Sequence, residues 1–112
     1  MHLVPEEVWL ARDPRVSYAP EGWEQGGFVH CTDGDAAMVE VANRFYALDS
    51  RSFLVLTVDL DRTGSPWRFD DLGHRYPHVY GPIDPSAILE TRRLRRDRDG
   101  RFLAITTLET RG

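Results

Sequence analysis

Apolar residues recur along this chain with two different periods. Short alternating or continuous apolar runs predict strands, and recurrence every three to four residues predicts a helix. Residues 2–4 read as a short first strand. Residues 5–11 offer a short helix: Pro5 suits a first helical position, and Glu6 and Glu7 suit the positive N-terminal end. Residues 13–27 hold two Pro and three Gly and read as loop. Gly26 and Gly27 then lead into a second strand at 28–31, where they would allow backbone or ligand to approach closely.

A helix is expected over 35–48, capped by Thr32 or Asp33 and buried through Met38, Val41, Ala42 and Phe45. Residues 52–60 (SFLVLTVDL) form the clearest strand, with β-branched and aromatic residues in a short run. A weaker strand is expected at 66–70. Residues 88–96 alternate as a half-buried strand, and its Arg92, Arg93, Arg95 and Arg96 read as a solvated strand edge. Asp99-Gly100 predicts a hairpin turn, with 101–108 pairing back. The sum is five or six strands and one main helix. Neighbouring strands joined by hairpins favour antiparallel pairing, hence an α+β fold rather than βαβ units.

Composition narrows the class. A length of 112 residues suits one domain spanning 1–112, burying roughly two thirds of its unfolded surface. No apolar run approaches the ~20 residues of a membrane span. The start of the chain lacks a basic and apolar leader, so the cytoplasm is the expected compartment. A net charge of −4 argues against nucleic acid as the partner. Every basic residue is Arg, which rules out a Schiff-base lysine. The single Cys31 rules out an internal disulfide and a cysteine-rich zinc site. The sequence leaves the oligomeric state open.

Two segments could carry chemistry. In 26–32 (GGFVHCT), strand alternation puts Phe28, His30 and Thr32 on one face and Val29 and Cys31 on the other, the natural core side. A lone strand histidine also reads as a packed group bonded to a backbone carbonyl. In 76–82 (YPHVYGP), His78 and Tyr80 lie two apart between prolines that hold the backbone extended. That segment also reads as a Pro-rich turn with a buried aromatic ring. His74 is expected in a solvated loop, and His2 would reach a site only from a central first strand. Trp9, Trp23 and Trp67 are expected in the core or a cleft wall. His30, His78 and Asp70 could form a facial ligand set, but no His-x-His or similar spacing supports it and no metal is expected.

These two segments carry a resemblance. Gly27-Phe28-Val29-His30-Cys31-Thr32 is similar to G-F-I-H-C-S, and residues 76–83 (YPHVYGPI) are similar to F-P-H-I-Y-G-P-L, of the small bacterial proteins catalogued as domain of unknown function 952. Trp9, Ala42-Asn43, Phe45 and residues 99–102 also match, in order. The family often has Gln where this chain has Ala36 or Ala37, and Glu where it has Asp70.

The resemblance implies two small, mostly antiparallel sheets with one main helix, a split β-sandwich similar to ADP-ribosyltransferases, around a cleft that takes NAD. His30 and Thr32 would then bind the ligand and Tyr80 would stack on its nicotinamide ring. The acid would be Asp70, Glu90 or Glu109. His30, His78 and Tyr80 are thus the candidate catalytic residues, and Phe28, Thr32 and Asp70 the candidate ligand-binding ones. Three functions compete: a transferase of ADP-ribosyltransferase type, a cofactor-free enzyme of small metabolites, and a binding module. In each, the partner is a small molecule or nucleotide.

Overall fold

The structure is a computed structural model and describes residues 1–20 and 27–108. Trp23, Gly26 and Glu109 lie outside the described residues. Seven strands form two sheets with every pair antiparallel, so the α+β expectation holds. The elements are β1 (His2–Pro5), α1 (Glu6–Ala11), β2 (Val29–His30), α2 (Asp35–Tyr46), β3 (Phe53–Val58), β4 (Trp67–Phe69), β5 (Pro77–Val79), β6 (Ile88–Arg96) and β7 (Phe102–Thr107). The larger sheet has the order β1-β3-β6-β7 and the smaller one β2-β5-β4. Among the described residues no helix is long and apolar enough to cross a membrane.

The continuous apolar run of β3 follows from its place. Phe53 and Val55 face α2 with Met38, Ala42, Leu94 and Phe102. Leu54 and Leu56 face the other way, against Val4, Trp9 and Tyr18. A strand covered on both faces has no polar side, so alternation disappears. A third cluster lies under the small sheet: Val29, Cys31, Val79, Ile83 and Ala87.

Helix α2 departs from expectation in two ways. Its cap is Gly34, with no side-chain cap bond, in place of Thr32 or Asp33. Those two residues still belong to extended chain: Thr32 N–H donates to the Met1 carbonyl and Asp33 N–H to the Arg75 carbonyl. The helix can start only after that pairing ends. Its buried face also differs, because Phe45 is 67% exposed while Met38 and Ala42 are fully buried. The core side runs instead through Asn43, whose side chain donates to the Phe102 carbonyl at 2.9 Å and accepts its N–H at 2.8 Å. This clamp gives a weak helix former a reason to sit mid-helix.

The arginine run is no solvated edge. β6 lies between β3 and β7. Alternation sends Arg92 to one face, where it grips Asp35 at the start of α2 with two 2.9 Å bonds. Arg93 goes to the other, gripping Glu6 at the start of α1 at 2.8 and 2.9 Å. Both acids sit where the helix dipole already favours negative charge. Arg96 packs its guanidinium 4.0 Å from the centre of the Phe102 ring.

The two sheets meet through His2. β1 is an edge strand, not a central one, and its edge position sets His2 against the small sheet. The buried imidazole donates from Nδ1 to the His30 carbonyl at 2.7 Å. Its Nε2 then accepts from the Tyr18 hydroxyl at 3.0 Å. Burial pushes the pKa of His2 down to about 4.

Two outcomes follow. Phe102→Ala should cost roughly 3–5 kcal/mol in chemical denaturation, whereas Phe45→Ala should cost less than about 1; the reverse ranking would mean α2 is rotated. Above pH 6.5 both folded and unfolded chains hold a neutral His2. Between 6.5 and 4 the unfolded chain takes up a proton that the folded one refuses, so stability falls as pH falls, by on the order of 3 kcal/mol from this group. Denaturation midpoints measured across that window should slope in the parent and less steeply in His2→Phe; an equal slope in both would show that His2 is not a titrating group.

Candidate functional site

The small sheet has two unlike faces. Val29, Val79 and Trp67 pair across β2, β5 and β4 with apolar surface turned inward. One residue along each strand, His30 pairs directly with His78, and His78 with Arg68. Strand alternation therefore delivers a row of three polar side chains to the opposite face. The expected shared face of Phe28 and His30 is present, with ring centroids 4.6 Å apart. Their imidazoles bring His30 and His78 within 5.3 Å, centroid to centroid, so the two segments meet at one place. Phe28 stacks on His78 at 4.1 Å.

The backbone holds this row by local means. Gly27 adopts φ 80°, which is why it is glycine; a Cβ there would meet nothing within 4 Å, so close approach is not the reason. Gly81 is the close-approach case, since a Cβ would lie 2.5 Å from the Ser65 hydroxyl oxygen. That hydroxyl donates to the Pro82 carbonyl and closes the end of the small sheet.

Asp70 is the hub. Its carboxylate accepts from His78 Nδ1 at 2.7 Å and from the Tyr80 hydroxyl, and pairs with Arg68 Nε at 2.7 Å. These donors, the Tyr80 hydroxyl foremost, hold the Asp70 carboxyl below the usual carboxylate range. Arg68 also covers the Tyr80 ring at 4.8 Å. Burial, aided by neighbouring His78, lowers the pKa of His30 and keeps its imidazole neutral at neutral pH. Cys31 is buried on the core side and its thiol is pushed up to about 11, which leaves it inert. His74 is exposed in its loop, stacked on Phe69.

A cleft of about 640 Å³ opens beside this row. His30, Thr32, Asp70 and His78 line one side, and Val41, Phe45 and Tyr46 of α2 line the other. Phe28 and Tyr80 stand behind it: Phe28 against His78, Tyr80 against Asp70. Glu90 is elsewhere, on β6 beside Arg92. Among the described residues no three His, Cys, Asp or Glu side chains are placed to hold a metal ion.

Sequence reasoning missed Phe45 as a cleft wall and Arg68 altogether. The helix carried a signal. Met38, Val39, Val41, Ala42, Phe45 and Tyr46 span an apolar arc too wide for one core contact. The inner part packs on β3 and the outer part faces the cleft.

No curated protein and no solved structure matches the chain. A family model described as "Protein of unknown function (DUF952)" matches residues 3–91. That span runs from β1 into β6 and takes in both histidine segments, Asp70 and the whole of α2. The chain belongs to the DUF952 family.

Proposed function

We propose that this protein is an enzyme acting on a small molecule, with His78 as general acid and base. The observation that carries this is the 2.7 Å bond from His78 Nδ1 to the Asp70 carboxylate on the wall of the cleft. A carboxylate that accepts the Nδ1 proton fixes the tautomer and leaves the Nε2 lone pair to take a proton from a ligand. Proton transfer of this kind contributes about 10²–10⁴-fold to a rate. Asp70 is the orienting acid, and Tyr80 and Arg68 keep it ionised and in place. Neutral His30, across the strand pair, can donate to or accept from the same ligand. Thr32 contributes to the wall, and Phe28 fixes the His78 ring by stacking. Val41, Phe45 and Tyr46 supply apolar contact for the rest of the molecule.

A dinucleotide of NAD type is the second reading. Two split sheets around a cleft favour it, as do His30 and Thr32 together on the wall. Against it, Tyr80, the ring that would stack on nicotinamide, is taken up by Arg68 and Asp70. A binding module without chemistry would leave the imidazole bonded to Asp70 without a task.

The test is depletion of a soluble metabolite extract followed by mass spectrometry, with and without added NAD. The parent should consume at least one compound. His78→Asn and Asp70→Asn should each slow that by about 10²-fold or more. Both variants should melt within a few degrees of the parent, because the two side chains face the cleft. Consumption that requires NAD would favour the second reading. Binding without consumption would identify a binding module, and full activity in His78→Asn would remove the imidazole from the mechanism.

A further inference from the structure

Between the edge strand β1 and the face of β2 shared by Phe28, His30 and Thr32 lies a second hollow of about 320 Å³, which reaches α2 and β3. His30, Thr32, Val41 and Tyr46 line both this hollow and the cleft, so these four side chains form the partition between them. The walls are rings and apolar groups from both sides of β1: Tyr18 and Val8 from one, Phe53 and Met38 from the other, with Phe28 opposite. The imidazole of His2 also faces it, with both nitrogens already engaged, Nδ1 on the His30 carbonyl and Nε2 with the Tyr18 hydroxyl. Arg51, the one charged residue on its wall among the described residues, is held by Asp49 at 2.8 Å and Glu7 at 3.5 Å. A hollow of this size lined by rings falls in the range of small-molecule sites, about 300–1,000 Å³.

We propose that this hollow is a second binding chamber, which takes an uncharged aromatic ring of the same molecule whose reacting group meets His78. The proposal rests on the reading of the cleft as the working site. Among the described residues the chamber offers no spare charge to pair with an ionic group, and burying an unpaired charge against them would be costly. Its aromatic walls suit edge-to-face and offset contacts with a flat ring. His30 stands at the junction, one side toward the chamber and the other toward His78. A ligand spanning both hollows would pass that imidazole, which makes His30 the contact that aligns ring and reacting group.

Indole, an uncharged flat ring, is the probe. Titrated into isotope-labelled parent protein, it should shift the amide signals of His2, Val4, Tyr18 and Phe53. Val8→Trp projects a ring into the chamber and should weaken that binding about tenfold or more. Phe45→Ala, which opens only the outer cleft, should leave it within about twofold. If Val8→Trp does not fold, the shift map of the parent decides alone. Shifts confined to Glu40, Arg44 and Tyr76, or no shifts at millimolar indole, would overturn the chamber while leaving turnover at His78 intact. Absence of turnover with indole still in the chamber would overturn the catalytic reading instead.

Discussion

A buried, neutral imidazole joins the two halves of this fold. His2 lies on the edge strand of the larger sheet and spends both ring nitrogens on partners outside that sheet. One is the carbonyl of His30, the other the hydroxyl of Tyr18, whose backbone pairs in turn with Ile83 beneath the small sheet. Each such bond adds only about 0.5–1.5 kcal/mol net, but a buried polar group left without a partner costs roughly 1–3. The joint therefore works as a constraint: the sheets keep this spacing because any other leaves polar groups stranded. Its proton state belongs to the constraint, since a charged imidazole would require an acceptor in place of the Tyr18 hydroxyl proton.

From that joint the site follows. His30 is held through its carbonyl from behind, and its side chain is thereby free to face forward. Its cross-strand partner His78 inherits the same position through antiparallel register. Asp70 then enters from the end of β4, and its placement depends on Arg68 and Tyr80 as much as on His78. Asp70, His78 and His30 thus sit on or at the end of three neighbouring strands rather than on one loop. Rigid elements hold catalytic geometry better than loops do.

Helix α2 serves two surfaces at once. Arg92 pins its start to β6, and Asn43 pins its middle to β7. With rotation blocked at two points, Met38 and Ala42 are committed to the core, and Val41 and Phe45 are left facing the cleft. An exposed phenylalanine adds little to folding stability. Phe45 stands on the wall of the cleft opposite two histidines.

The local pattern of residues was enough to place nearly every strand, the main helix, the hairpin at Asp99-Gly100 and the antiparallel character of the sheets. It also put Val29 and Cys31 on the core side of β2 and His30 on the other, because strand alternation is a property of the backbone alone. It could not say what covers each face. Phe45 had the spacing of a core residue, and the arginines of β6 the look of a solvated edge; only the packing of α2 and the strand order assigned them otherwise. The meeting of His30 with His78 and the reach of His2 across the sheets join residues far apart in sequence, and the three-fold grip on Asp70 joins two paired strands. Such contacts are set by register and sheet order, which depend on the whole chain's burial of apolar surface and not on any one segment.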